Sequence, residues 1–380
     1  MKRIYLDHAA TTPLCKEAFC AVTDCLSGCF GNPDSVHSFG REAEKVLRGA
    51  RDRVAELMGA DPSEIVFTSG GTEADNAALK GVAAAAGKRR HILISAVEHP
   101  AVYAAAEQLR EAGFSVGVIP ADGEGFVTPE ALLGAIREDT LLVSVMWANN
   151  VFGTLEDIPE LARAAHSAGA LFHTDAVQAA GALEVDAGAS GADLISVSAH
   201  KMYGPKGAGA LYVRRGTPFL PLIAGGEQER GLRGGTSAVH SAAGFAAAFA
   251  ATRGSAAEDA ARMRELRDFF LGELLSEDGV TLVGASDMSR RHPGNACVRV
   301  EGVRAGQLLA ALDLEGVAAS AGSACSARLA LPDRSLTALG LTETQADECV
   351  RFSLGRETQK EELVRAAEIF RAAVRRIRKA

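Results

Sequence analysis

Seven short apolar runs, most of them separated by helical stretches, constrain this chain more than any other feature. They lie at Ile65–Thr68, Ile92–Ile94, Val116–Ile119, Leu141–Val145, Leu171–Phe172, Leu194–Ile195 and Ala210–Val213. Strands this apolar are buried on both faces, and parallel neighbours need helical crossovers between them. The pattern predicts an α/β chain with a mostly parallel seven-stranded sheet covered by helices. Past Thr252 the texture changes. The alanine-rich stretch 236–252 predicts a packed core helix, and 256–275 a separate charged amphipathic helix. Short strands near Thr281–Val283, Ala296–Val300 and Val350–Ser353, then a last helix over 360–377, predict a smaller α+β unit. The expected division is a large domain over 15–252, with 1–14 and 253–380 forming the small one.

Composition narrows the function classes. Net charge is −8 with no basic block, which argues against a nucleic-acid surface. The basic N-terminal residues lack a following apolar region, and no run reaches the roughly 18 apolar residues of a membrane span. A cytoplasmic protein without membrane contact is the expectation. The seven cysteines, an odd number, read as reduced thiols. Four lie between Cys15 and Cys29 without a Cys-x-x-Cys pair, so they are expected to fill a helix, and no metal site is expected.

The chemistry gathers at the ends of the strands. Lys201 follows Leu194–Val197 in Ser198-Ala199-His200-Lys201-Met202-Tyr203-Gly204. An amine at the end of a buried strand suits imine chemistry, because desolvation disfavours the ammonium form. Asp175 ends the preceding strand. A lysine that forms an imine and an acid that pairs with a pyridinium nitrogen are the protein groups required by pyridoxal 5′-phosphate (PLP). Ser69-Gly70-Gly71-Thr72-Glu73, between a strand and a helix, suits either a phosphate or a helix cap. His99 follows another strand, placed to stack on a ligand or to bond locally. Asn149-Asn150 ends a further strand, and Gln178 and His200 follow two of them. Five strand ends delivering polar groups to one sheet edge is a binding-site pattern for α/β sheets. Cys325 sits among Gly, Ser and Ala, where a thiol is either an accessible nucleophile or incidental. Arg351 alternates with apolar residues on a strand, suited to carboxylate capture or to an inter-domain salt bridge. The glycine-rich segment 225–236 reads as a functional loop.

Together these segments resemble the cysteine desulfurases of the NifS and IscS type, class V enzymes on the PLP fold type I scaffold. The matching stretches are Leu6-Asp7-His8-Ala9-Ala10-Thr11-Thr12, Gly31-Asn32-Pro33-Asp34-Ser35-Val36-His37, Ser69-Gly70-Gly71-Thr72-Glu73, Glu98-His99-Pro100, Asp175-Ala176-Val177-Gln178, the Lys201 and Cys325 segments, Gly231-Leu232-Arg233-Gly234-Gly235-Thr236 and Arg351-Phe352-Ser353. The resemblance implies that Lys201 holds PLP, His99 stacks on its ring, and Asp175 pairs with the ring nitrogen. Gln178 and Asn150 would contact its phenolic oxygen. Gly71, Thr72, Ser198 and His200 would cradle the phosphate, joined by Thr236 from the second subunit of a homodimer. Arg351, with Asn150 nearby, would bind the carboxylate of L-cysteine. Cys325 would take the sulfur as a persulfide and release L-alanine. The sulfur would pass to an acceptor protein such as an iron–sulfur scaffold, a thiolation relay or a cofactor pathway. The length between Cys325 and Arg351 implies the extended-loop branch, with a NifS-like role favoured. A selenocysteine lyase, a class V aminotransferase and a non-catalytic sulfur-carrier protein are the alternatives on this scaffold. One departure is Val151, where the family usually has Glu.

Overall fold

Alternation along the apolar runs sorts their side chains onto two buried faces. The computed structural model of the chain describes residues 3–322 and 333–379. Ile92, Ile94, Leu142, Leu194 and Leu211 share one apolar cluster with residues of the helices Gly71–Ala84 and Pro100–Glu111. Their strand neighbours Leu93, Val143, Ile195, Val197 and Tyr212 share another. That second cluster includes Leu47 and Val54 of the helix Ser38–Leu57, Leu161 of Ile158–Ser167, and Phe245 and Phe249 of Val239–Leu275. The sheet is therefore covered on both sides, as its unbroken apolar strands require.

The seven strands run in the spatial order Ile65–Thr68, Gly209–Val213, Leu194–Ser198, Leu171–Asp175, Thr140–Ser144, His91–Ser95 and Ser115–Ile119. Gly209–Val213 is antiparallel to both its neighbours, and all other pairings are parallel. Six strands thus point one way, and only Gly209–Val213 opposes them. Polar residues extend two strands beyond their apolar cores, to Asp175 and Ser198, since the ladder continues to the sheet edge.

Beyond the sheet, the two helices expected over 236–252 and 256–275 are one helix, Val239–Leu275. The intervening Arg253-Gly254-Ser255 does not break it. A glycine inside a helix costs only about 1 kcal/mol, and both halves are anchored by packing. Phe245 and Phe249 enter the large core, while Leu266, Phe270 and Leu274 enter a second cluster. That second cluster surrounds an antiparallel sheet of Val280–Leu282, Asn295–Val300 and Cys349–Ser353, with Asn295–Val300 central. The start of the chain joins it. Ile4–Tyr5 pairs in parallel with Val317–Ala318, and Leu6 accepts a hydrogen bond from Ser353 N at 2.7 Å.

Val151 is buried against Val97, Phe152, Val283 and Cys297, so the position beside Asn150 is apolar core. Cys15 and Cys25 are buried, Cys29 half-buried and Cys20 exposed, all within or flanking the helix Lys16–Gly28. Among the described residues, no helix is long and apolar enough to cross a membrane.

Phe352 is fully buried and meets Phe270 and Phe370 edge-on, with centroids 5.3 and 5.9 Å away. Phe352→Ala is expected to cost on the order of 3–5 kcal/mol. It would appear as a lower urea midpoint with an unchanged slope.

Candidate active site

Because six strands share a direction, five of them bring their C-terminal ends to one rim, where a cavity of about 550 Å³ opens. Its lining includes Gly71, Thr72, His99, Asn150, Asp175, Gln178, Ser198, His200, Lys201 and Arg351. Of the site residues inferred from sequence, only Thr236 and Cys325 are missing from this set. Thr236 lines a neighbouring cleft with Ser69, Gly207 and Arg233. Cys325 lies outside the described residues. Before it, Ser320 forms an isolated antiparallel bridge with Arg351.

The first strand end is a turn into a helix. Gly70 has φ 147°, open to glycine and strained for other residues. A side chain on Gly71 would meet Val177 Cγ2 at 2.6 Å. Gly70 caps the helix Gly71–Ala84 with no side-chain bond among the described residues, and this helix start, Gly70 to Thr72, lines the cavity. Glu73, also in the lining, is held by Arg233 at 3.0 Å and by Ser69 N at 2.9 Å. Opposite that helix start, Ser198 Oγ is buried and has no hydrogen-bond partner among the described residues. His200 contacts Thr11 Oγ1 through Nδ1 at 3.2 Å. Burial, then the Lys201 and Lys206 ammonium groups, pull His200 down to about 4. A helix start and an orphaned hydroxyl lining one cavity form a donor set fitted to a phosphate.

The middle of the cavity carries the groups that would face a ring. His99 caps the helix Pro100–Glu111, its Nδ1 accepting from Ala101 N at 3.2 Å. The local bond expected of His99 is present, and the residue also lines the cavity. Burial lowers its pKa, with Asp175 opposing. Asp175 accepts from Val177 N at 2.9 Å, and burial raises its carboxyl while His99 and Lys201 oppose. Lys201 Nζ donates to the carbonyls of Ala9 and Ala10, the latter at 2.9 Å. Gln178 Nε2 also donates to Ala9 O, at 2.9 Å. An acid for a pyridine nitrogen, an imidazole and an amine thus fit the aromatic part of PLP.

At the far wall, Arg351 is almost fully buried and already engaged. It donates to Asp7 Oδ1 and to Asn150 O, each at 2.7 Å, while its Nε has no partner among the described residues. Arg351 thus lines the cavity while one arm is held by Asp7, a partner within the expected small unit rather than across the domain division. Asn149 secures this wall: its Oδ1 accepts from Val151 N and Phe152 N, and its Nδ2 donates to Val97 O at 3.0 Å.

Several contributors escaped the sequence reading. Asp7, Ala9, Ala10 and Thr11 belong to a matching motif, but nothing local says they meet residues some 190 to 340 positions away. Asp75 and Lys206 also line the cavity. Asp75 was detectable in principle, as an acid on the alanine face of an apolar helix.

With this geometry in place, the chain's relationships follow. The aminotransferase class-V family profile matches residues 4–365, and the chain belongs to that family. Within the family it belongs with the cysteine desulfurases. The cysteine desulfurase IscS of Dictyoglomus turgidum is 44% identical over 381 residues, covering 100% of this chain and 96% of that protein. The cysteine desulfurase IscS of Pseudomonas aeruginosa is 42% identical, covering 99% and 93%. A solved NifS-like protein superposes with a TM-score of 0.91 at 33% identity, covering 98% and 99% of the two chains. A NifS-like protein from Rickettsia africae gives 0.87 at 29% identity, covering 100% of each.

Glu98, beneath His99, accepts from Ser95 Oγ and Met146 N at 2.8 Å, and desolvation pushes it up to about 8. The folded chain holds a proton there that the unfolded chain releases above pH 4.5. The stability linked to that proton is full below pH 4.5 and is lost as pH rises through about 8. Glu98→Gln keeps the acceptor and carries no charge. It is expected to match the wild type near pH 4.5 and to exceed it by on the order of 2–4 kcal/mol near pH 8, read by urea unfolding at both.

Proposed function

We propose that this chain is a PLP-dependent cysteine desulfurase that converts L-cysteine to L-alanine and receives the sulfur on Cys325 as a persulfide. The observation that carries the reading is the shared cavity. It combines an amine (Lys201), an acid (Asp175), an imidazole (His99), and a phosphate cradle at Gly71, Thr72, Ser198 and His200. PLP, when bound, supplies an electron sink that acidifies the substrate's α-carbon. Lys201 holds the cofactor and then moves the α-proton. His99 would stack on the ring, Asp175 would pair with its nitrogen, and Gln178 and Asn150 would hold the phenolic oxygen.

Arg351 anchors the substrate carboxylate, with Asp7 fixing one arm of the guanidinium. That holds the substrate in one orientation for reaction with Cys325. Cys325 attacks as the thiolate, so a sulfur–sulfur bond forms as the substrate's carbon–sulfur bond breaks. Protons returned to the carbon skeleton complete L-alanine, and the persulfide remains on Cys325. A related solved protein, SspA in complex with cysteine, is 31% identical with a TM-score of 0.81, which supports this substrate.

The reading includes a homodimer. Thr236 lies outside its own chain's cavity, consistent with delivery to a second copy. Phe19, Leu26, Phe30 and Phe39 are large exposed apolar side chains that a second copy would cover. The reading also includes the domain division at 15–252 against 1–14 and 253–380, with the continuous helix Val239–Leu275 as its bridge. The persulfide is handed to a sulfur-acceptor protein, an iron–sulfur scaffold being the favoured class, in the cytoplasm.

Purified protein incubated with PLP is expected to turn yellow and to form alanine and sulfide in equal amounts from L-cysteine with a reductant present. Lys201→Ala should lose both the colour and the activity, by at least about 100-fold. Cys325→Ala should keep the colour and lose sulfide formation to a similar extent. Normal sulfide release by Cys325→Ala would remove the thiol from the mechanism and favour an aminotransferase or lyase.

A further inference from the structure

The floor of the cavity holds one carboxyl more than the proposed chemistry uses. Asp75 projects from the helix Gly71–Ala84, is 1% exposed, and lines the cavity. Its ligand atom lies within 4.8 Å of those of Asp175 and His99. Asp75 Oδ1 has no hydrogen-bond partner among the described residues. Behind it, His173 Nε2 stands 3.8 Å from Asp75 Oδ1 and 3.0 Å from Ser196 Oγ, while Nδ1 meets Ser144 Oγ at 2.9 Å.

We propose that Asp75 is a positioning residue for Asp175: its carboxyl, carrying a proton, fixes the orientation and the negative charge of Asp175 beneath the cavity. Two neighbouring carboxylates in a dry site cannot both ionise. The charge belongs on Asp175, which faces Lys201 and His99 and accepts from Val177 N. Neither Lys201 nor His99 offsets burial at Asp75. Burial raises it first, Asp175 next, and Ser196 opposes only by a hydrogen bond.

Every other titratable group nearby leaves this assignment intact. Glu98 adds a further raising influence on Asp75. Burial lowers His173 to about 3, so it stays neutral and offers no compensating charge. Asp333 acts on His99 rather than on Asp75. A protonated Asp75 therefore completes a small sub-floor network of Asp75, Ser196, His173 and Ser144.

This inference rests on the cofactor reading for its purpose, but its protonation claim stands apart from it. Infrared difference spectra at pH 7, without cofactor, are expected to show separate carboxylic-acid carbonyl contributions, one lost in Asp75→Asn and a different one, from Glu98, lost in Glu98→Gln. On the PLP-loaded protein, Asp75→Asn should hold the pH midpoint of the visible absorption within about 0.3 of the wild type, because no charge is removed. Asp75→Leu, which deletes the donor, should shift that midpoint by about 1. An infrared spectrum unchanged by Asp75→Asn would overturn the proposal. So would an Asp75→Asn midpoint displaced by about 1, as loss of a real charge would cause. A protein that stays colourless with PLP would instead overturn the functional reading, and the infrared band would still decide the state of Asp75.

Discussion

A sheet buried on both faces has only its strand ends available for polar chemistry. Here that constraint organises the whole molecule. Side chains along Leu194–Ser198 and Leu171–Asp175 are buried on either face, so a hydrogen-bonding or charged group can serve a ligand only where the ladder stops. With six strands aligned and one opposed, the stops of five coincide at one rim. The amine, the acid, the imidazole, the amide and the helix start need no further device to bring them together. The covering helices supply the rigidity that holds such groups in place.

Concentrating these groups creates an electrostatic problem that the fold handles by neutralisation. Asp75, Glu98 and Asp175 are all buried within a short distance of His99, and burial raises all three carboxyls. Imidazoles in the same region move the other way: His173 falls to about 3 and His200 to about 4. The two effects oppose one another across the pH scale. Neutral buried histidines cost stability as pH falls below 6.5, and raised carboxyls cost stability as it climbs above their ordinary range. Burial thereby favours the neutral form of the carboxyls and imidazoles gathered around the cavity.

The N-terminal segment closes the cavity from outside the sheet. Asp7 pairs with Arg351, and the carbonyls of Ala9 and Ala10 receive Lys201 Nζ. Leu6 and His8 are hydrogen-bonded to Ser353 on the strand that carries Arg351. The Arg351 guanidinium and the Lys201 amine are thus coupled through a few residues of extended chain. An ion pair between almost fully buried Arg351 and Asp7 has no strong case as a stabiliser, because desolvation offsets its attraction. Its value lies in fixing one arm of the guanidinium while Nε remains unclaimed.

Residue pattern by itself determined the α/β class, the buried strands, and the residues at their ends, because period-two burial and strand-end polarity are local signals. Lys201, Asp175, His99 and the turn at Gly70-Gly71 were legible for that reason. The resemblance to cysteine desulfurases added roles that no spacing could supply. The continuity of Val239–Leu275 was not legible, since an exposed glycine looks like a break until packing on two separate cores outweighs its small cost. Nor were the Asp7–Arg351 pair and the burial of Val151 legible, because each depends on segments distant in sequence. Only the tertiary structure decided how Asp75 and Asp175 share one low-dielectric floor. A carboxyl's protonation depends on burial and on neighbours brought together through space, and sequence spacing encodes neither.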